Sequence, residues 1–219
     1  MQAKIYIADQ NDIFGLLSSV SSANIPSVRG KLSKGDRVST YGRITNDYWV
    51  IDDTFIFQML GDFNTDEFPL EAIYRVLRGD SKIRRQIFEA EGETVITEGD
   101  IPLDYRVLPF SKAVERGIGV CLERSILLQL SQQVLRPSFL VNGWCKIGDV
   151  QAYHAFNVVL KDGKLLLVDV KPRESSDGSY MPYVVPIRGI NLPKGEVVLS
   201  PSLSDGRKYT ITYLDEIAN

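Results

Sequence analysis

The chain has 219 residues, 44% of them hydrophobic and 24% charged, with a net charge of −3. That balance is globular: it excludes fibrous and disordered classes, and it gives no general basic surface for nucleic acid. No apolar run approaches the roughly 18 residues of a membrane span. Met1 to Asp9 alternates and is soon interrupted by charge, unlike a secretory signal. Two cysteines, Cys121 and Cys145, exclude a disulfide scaffold and predict a reducing, cytoplasmic setting.

In chain order, residues 1–65 read as a strand-rich region and 66–219 as a second unit, with a weak boundary near 65. Lys4 to Ile7 alternates like a strand, and Asn11 to Val20 suits a short helix. Gly35-Asp36 is a turn before a strand over Arg37 to Ile44. Tyr48 to Ile51 and Phe55 to Leu60 read as further strands, their aromatics predicted to be core. Pro69-Leu70-Glu71 opens a helix with Leu70, Ile73, Tyr74 and Leu77 at helical spacing. Gly79-Asp80 breaks it and Ser81 to Ala90 resumes it. Residues 91–110 read as loop, with one short strand at Thr94 to Thr97. The basic residues Arg78, Lys82, Arg84 and Arg85 lie among acids and read as a solvated helix face.

From Cys121 to Leu135 there is no Gly or Pro, which predicts a helix of about four turns. Its apolar residues lie on more than one side, the pattern of a buried helix. Strands follow at Ser138 to Lys146, Tyr153 to Leu160, Lys164 to Val170, Tyr183 to Ile187, Val197 to Leu199 and Lys208 to Leu214. Residues 171–180 read as a loop. Asp162-Gly163 is a two-residue hairpin signal.

Three residues at element ends carry the types that cysteine nucleophilic catalysis needs. Cys121 opens the buried helix, whose unpaired N–H groups and positive end favour a thiolate. The same N–H groups suit the negative oxygen of a tetrahedral intermediate. Gly117 and Gly119 before it would let a substrate approach the backbone. His154 is the one histidine of the chain. If Asp162 and Gly163 are the loop, Lys161 faces Lys164, Phe156 faces Asp169 and His154 faces Lys171. His154 and Asp169 are then diagonal neighbours on one face, roughly 7–8 Å apart at the backbone. A one-residue slip would put them on opposite faces. Singly, each has a bland reading: a small buried thiol, a partly buried strand histidine and a strand-end carboxylate. A zinc set of Cys121, Cys145 and His154 matches no short metal-site spacing. Cys145 reads as structural, with a disulfide to Cys121 as an alternative.

Together these residues resemble the transglutaminase-like branch of the papain-like cysteine enzymes. The match is Gly119-Val120-Cys121 opening a helix, then Phe139-Leu140-Val141-Asn142-Gly143, His154-Ala155-Phe156-Asn157, and Leu167-Val168-Asp169. It spans residues 113–170, about a quarter of the chain. Phe156 stands where the family often has Trp, and Val158 where it often has an acid. The resemblance implies an α+β fold in which a buried helix carrying Cys121 packs on an antiparallel sheet carrying His154 and Asp169. It further implies a Cys121 thiolate that attacks an amide or ester carbonyl. His154 would serve as base and acid, Asp169 would orient the ring, and the Cys121 N–H would contribute to an oxyanion hole. Tyr105 and the loop near Phe110 are candidates for a second donor. No cofactor and no metal are implied. The partner is a protein, peptide or small amide substrate, with no nucleic acid and no membrane. Protease, amidase, deamidase and acyl transferase all fit one acyl-enzyme. The reading of another class is a catalytically silent binding or structural module on the same fold. Oligomeric state is left open.

Overall fold

The structure, a computed structural model, describes residues 28–41, 45–62, 66–79, 81–95, 105–147, 150–174, 180–191, 196–201 and 209–212. The strand expected at Lys4 to Ile7 and the helix at Asn11 to Val20 lie outside these residues. The molecule is α+β and holds two mostly antiparallel sheets, with β1 (Val28–Arg29) on the edge of the larger one.

The smaller sheet joins β2 (Arg37–Tyr41), β3 (Thr45–Val50), β4 (Glu93–Val95) and β5 (Tyr105–Pro109) in the order β2-β3-β5-β4. The β2–β3 and β4–β5 pairs are antiparallel, while β3 and β5 run parallel, with Trp49 beside Leu108. β5 falls in a stretch expected to be loop. Its Tyr-Arg-Val-Leu-Pro sequence is too short to show a period of two, and its pairing comes from a strand far away in sequence. Trp49 is fully buried and meets Phe88 and Phe110 edge-on, at ring separations of 4.6 and 6.0 Å.

The strand expected over Phe55 to Leu60 is instead a 3-10 helix at Ile56–Leu60. Asp53 Oδ1 accepts the Phe55 N–H at 2.8 Å, and the Phe55 carbonyl accepts the Gln58 N–H at 2.9 Å. A local side-chain acceptor thus starts a turn where no strand pairs. Phe55 is 57% exposed, so it is not a core aromatic.

Helices α1 (Leu70–Val76) and α2 (Ser81–Glu91) follow the predicted helical spacing, with the break at Gly79. A short α3 (Ser111–Glu115) leads to α4 (Cys121–Gln132). Leu122 through Gln132 are all buried. The helix touches β6 (Ser138–Ile147), β7 (Val150–Lys161) and β8 (Lys164–Glu174), and also α1 and the 3-10 helix, which explains an apolar surface on several sides. Burying each Leu or Ile of α4 contributes about 1.5–3 kcal/mol. Among the described residues no helix is long and apolar enough to cross a membrane.

β6, β7 and β8 continue into β9 (Tyr180–Asn191), β10 (Glu196–Pro201) and β11 (Tyr209–Thr212). Antiparallel pairing runs from β6 through β7, β8, β9, β10 and β11 and back to β6, so this sheet closes on itself. Alternation along its strands serves two interiors. Leu140, Ala155, Val159, Val168 and Val170 join the core that holds α4. Phe139, Val141, Phe156, Val158, Leu165 and Leu167 are buried outside that core, on the opposite face of the same strands.

Candidate active site

The hairpin from β7 to β8 turns on two residues. Asp162 and Gly163 both adopt positive φ, 50° and 69°, as the primed hairpin turn requires. Lys161 faces Lys164 and Asn157 faces Val168, the register expected from the sequence. Pairing between the two strands ends there, and β8 shifts register against β9 between Asp169 and Arg173. At this end of the hairpin His154 Nε2 donates to Asp169 Oδ2 at 2.6 Å. Both side chains are about 8% exposed, so the bond is shielded from water and is short and charge-assisted.

Burial disfavours a charged ring. The Asp169 carboxylate, by charge and hydrogen bond, and hydrogen bonding and charge at Cys121 outweigh it and push the His154 pKa up to about 10. Cys121 is thus close enough to the ring to act on its charge. Asp169 occupies Nε2, which leaves Nδ1 as the ring nitrogen still open to another partner. Cys121 is a free, half-buried thiol, so the alternative disulfide to Cys145 does not hold. The Cys145 side chain lies outside the described residues. The structure thus brings together Cys121, His154 and Asp169 from α4, β7 and β8.

Polar contacts in the core fix α4 along β7. Asn157 Nδ2 donates to the Ser125 carbonyl at 3.1 Å and to Gln129 Oε1 at 3.3 Å. Gln129 Nε2 donates to the carbonyls of Ser138 and Gly30, at 3.1 and 2.9 Å. Buried polar bonds of this kind hold a helix at one height, because sliding it would strand each donor.

The start of α4 is built differently from the expectation. Val120 is the N-cap and offers no side-chain acceptor. Instead the Glu123 carboxylate reaches back, and its Oε2 accepts the Val120 N–H at 3.0 Å. Glu123 Oε1 accepts from Trp49 Nε1 at 2.8 Å and from Arg84 at 2.9 Å. Arg84 is only 3% exposed, so the solvated-face reading of the basic cluster fails at this residue. The sequence signal that could have found Glu123 is an acid three residues after an N-cap position. Its partners, 74 and 39 residues away, leave no local trace.

Gly119 serves the protein's own backbone and not a substrate. A Cβ on it would lie 2.3 Å from Leu77 Cβ and 2.5 Å from the Leu77 carbonyl oxygen. The loop after α1 is laced to this turn: the Gly79 N–H donates to the Gly117 carbonyl at 2.6 Å, and the Gly119 N–H to the Gly79 carbonyl at 3.2 Å. Gly119→Ala is expected to cost at least about 1–3 kcal/mol through overpacking. At about 2–4 °C per kcal/mol for a chain of this size, the loss is visible in thermal melting. An unchanged Tm would contradict the close approach.

The Cys121 N–H belongs to the first turn of α4 and has no acceptor within the helix. Two N–H groups of the loop near Phe110 are not open as a second donor. The Phe110 N–H donates to the Val50 carbonyl at 2.8 Å and the Ser111 N–H to Asp52 Oδ1 at 2.9 Å, so both are taken. The Tyr105 side chain lies outside the described residues. A cavity of about 330 Å³ lined by Leu32, Phe55, Gln133 and Val134 lies just past the far end of α4, away from Cys121. No family model matches the chain, nor does any curated protein or solved structure.

Proposed function

We propose that the protein is a cysteine-dependent hydrolase or acyl transferase of transglutaminase-like type, acting on amide carbonyls through a thioester. The observation that carries this reading is the buried 2.6 Å His154–Asp169 pair, with the free Cys121 thiol among the groups that act on the same ring. A ring kept protonated through neutral pH places a positive charge beside the sulfur, which favours the thiolate.

The step follows from that arrangement. Cys121 Sγ bonds to the carbonyl carbon, and the Cys121 N–H meets the oxygen as it turns negative. The C–N bond then breaks, and His154 Nδ1 gives its proton to the departing amine. Water or an amine attacks the thioester carbonyl carbon, Nδ1 takes the incoming proton, and the C–S bond breaks to restore the thiolate. Water gives hydrolysis and an amine gives transfer. Asp169 accepts from Nε2 throughout and holds the ring's plane.

The test is labelling by a thiol-directed acyl probe, located by peptide mass spectrometry. Wild type is expected to acylate at Cys121, and Cys121→Ala to lose the adduct. Equal labelling of both proteins would reject the reading. Iodoacetamide that reacts with Cys121 no faster than with an ordinary exposed thiol near neutral pH would favour a silent module.

A further inference from the structure

We propose that Arg84 is a positioning residue for this reaction: by neutralising Glu123 it keeps the start of α4 electropositive beside Cys121. The inference rests on the reading of Cys121 as nucleophile.

Glu123 lies two residues after Cys121 and is completely buried. Its Oε2 holds the Val120 N–H, so the carboxylate is fastened to the turn that carries the thiol. A bare negative charge there would work against the helix end and against the His154 charge, since like charges disfavour a second anion. Two donors meet that carboxylate at Oε1. Trp49 Nε1 supplies a neutral hydrogen bond, whereas Arg84 supplies a full positive charge at 2.9 Å. With side-chain exposures of 3% and 0% the pair is hardly screened by solvent. The next residue, Arg85, shows the contrast. It pairs with Glu89 across an exposed helix face, where such contacts contribute little.

The other charged groups near this network have their own places. His154 on β7 pairs with Asp169 on β8, and Cys121 acts on that ring. Arg124 donates to the Leu77 carbonyl and lies over the Tyr74 ring. Asp47 from β3 has its carboxyl pKa raised by burial, against the pull of Arg106 on β5 and of Arg84 and Arg85 on α2 and with a push from Glu89. Arg84 is the cation in contact with Glu123, so its charge sets whether that carboxylate is felt at the sulfur.

The experiment follows alkylation of Cys121 by iodoacetamide against pH in the full chain, for wild type, Arg84→Gln, Arg84→Lys, Glu123→Gln and the double variant Arg84→Gln/Glu123→Gln. Arg84→Gln should move the profile up by about one pH unit, so that the rate on its rising limb, below the midpoint, drops about tenfold. Arg84→Lys, which keeps the charge, should stay near wild type. Glu123→Gln should move the profile down, and the double variant should return toward wild type. A purely structural role would instead make the double variant the worst of the set. Circular dichroism and melting curves identify a variant that fails to fold, and the Arg84→Lys and double variants then carry the test. An Arg84→Gln profile that superposes on wild type, or a double variant no better than the single one, overturns the proposal. A wild-type profile unaffected by His154→Ala would overturn the nucleophile reading itself, and this inference with it. A His154-dependent profile that ignores Arg84 would overturn this inference alone.

Discussion

His154→Ala is expected to slow alkylation of Cys121 near pH 6 by about two orders of magnitude. With the ring in place, a positive charge stands beside the sulfur until about pH 10. Without it, the thiol behaves as an ordinary one, whose thiolate fraction near pH 6 is on the order of 10⁻² to 10⁻³. The replacement removes a buried, nearly enclosed ring, so folding must be checked alongside the rate. His154→Gln, which fills more of the space but carries no charge, is the control. Both variants should lose reactivity at low pH yet recover part of it as pH rises past the ordinary thiol range. A rate near pH 6 that is unchanged in both would mean that the imidazole does not act on the sulfur.

Asp169→Asn should have the second large effect. The asparagine Oδ1 can still accept from Nε2–H, so the ring can stay in position, but the charge that offsets burial is gone. The ring then sheds its proton at lower pH, because desolvation disfavours the imidazolium. Turnover is expected to fall by about 10⁴, the order seen when the orienting aspartate of a Ser-His-Asp triad is made asparagine. The substitution also changes how stability depends on pH. His154 is raised in the folded chain above its ordinary 6.5, so its contribution is fully present below that value. It is lost as pH rises through about 10. Wild type should therefore lose stability to denaturant between neutral pH and that point, and Asp169→Asn should lose less over the same interval. Equal pH slopes for the two proteins would contradict the assignment of this charge to the His154–Asp169 pair.

The sequence carried some of this arrangement and hid the rest, for physical reasons. Asp162-Gly163 permits a two-residue turn with positive φ at both positions, and a turn of that length sets which residues share a face. That put His154 and Asp169 together from local information alone. The buried helix was legible as well, because a run without Gly or Pro that is apolar on several sides has few other solutions. Gly119 reads from the sequence as room for a substrate, and the structure fills that room with Leu77. The closeness is tertiary, and a sequence shows only that a side chain is missing. Arg84 looked solvated because its neighbours are charged. Its burial depends on meeting Glu123 from another helix and Trp49 from a strand. The parallel pairing of β3 with β5 was equally out of reach, since each strand is short and they lie far apart along the chain. Phe55 to Leu60 has the composition of a strand, yet the Asp53 side chain turns the backbone locally.

In the proposed reaction the Cys121 thiol is activated by a charged ring steadied by a carboxylate. Thiolate absorbance near 240 nm, taken as the difference between wild type and Cys121→Ala so that Cys145 cancels, measures this directly. A thiolate signal is expected near pH 6 in wild type and should disappear in His154→Gln at that pH. A difference signal absent near pH 6, rising only around the ordinary thiol value of about 8.5 and indifferent to His154, would contradict it.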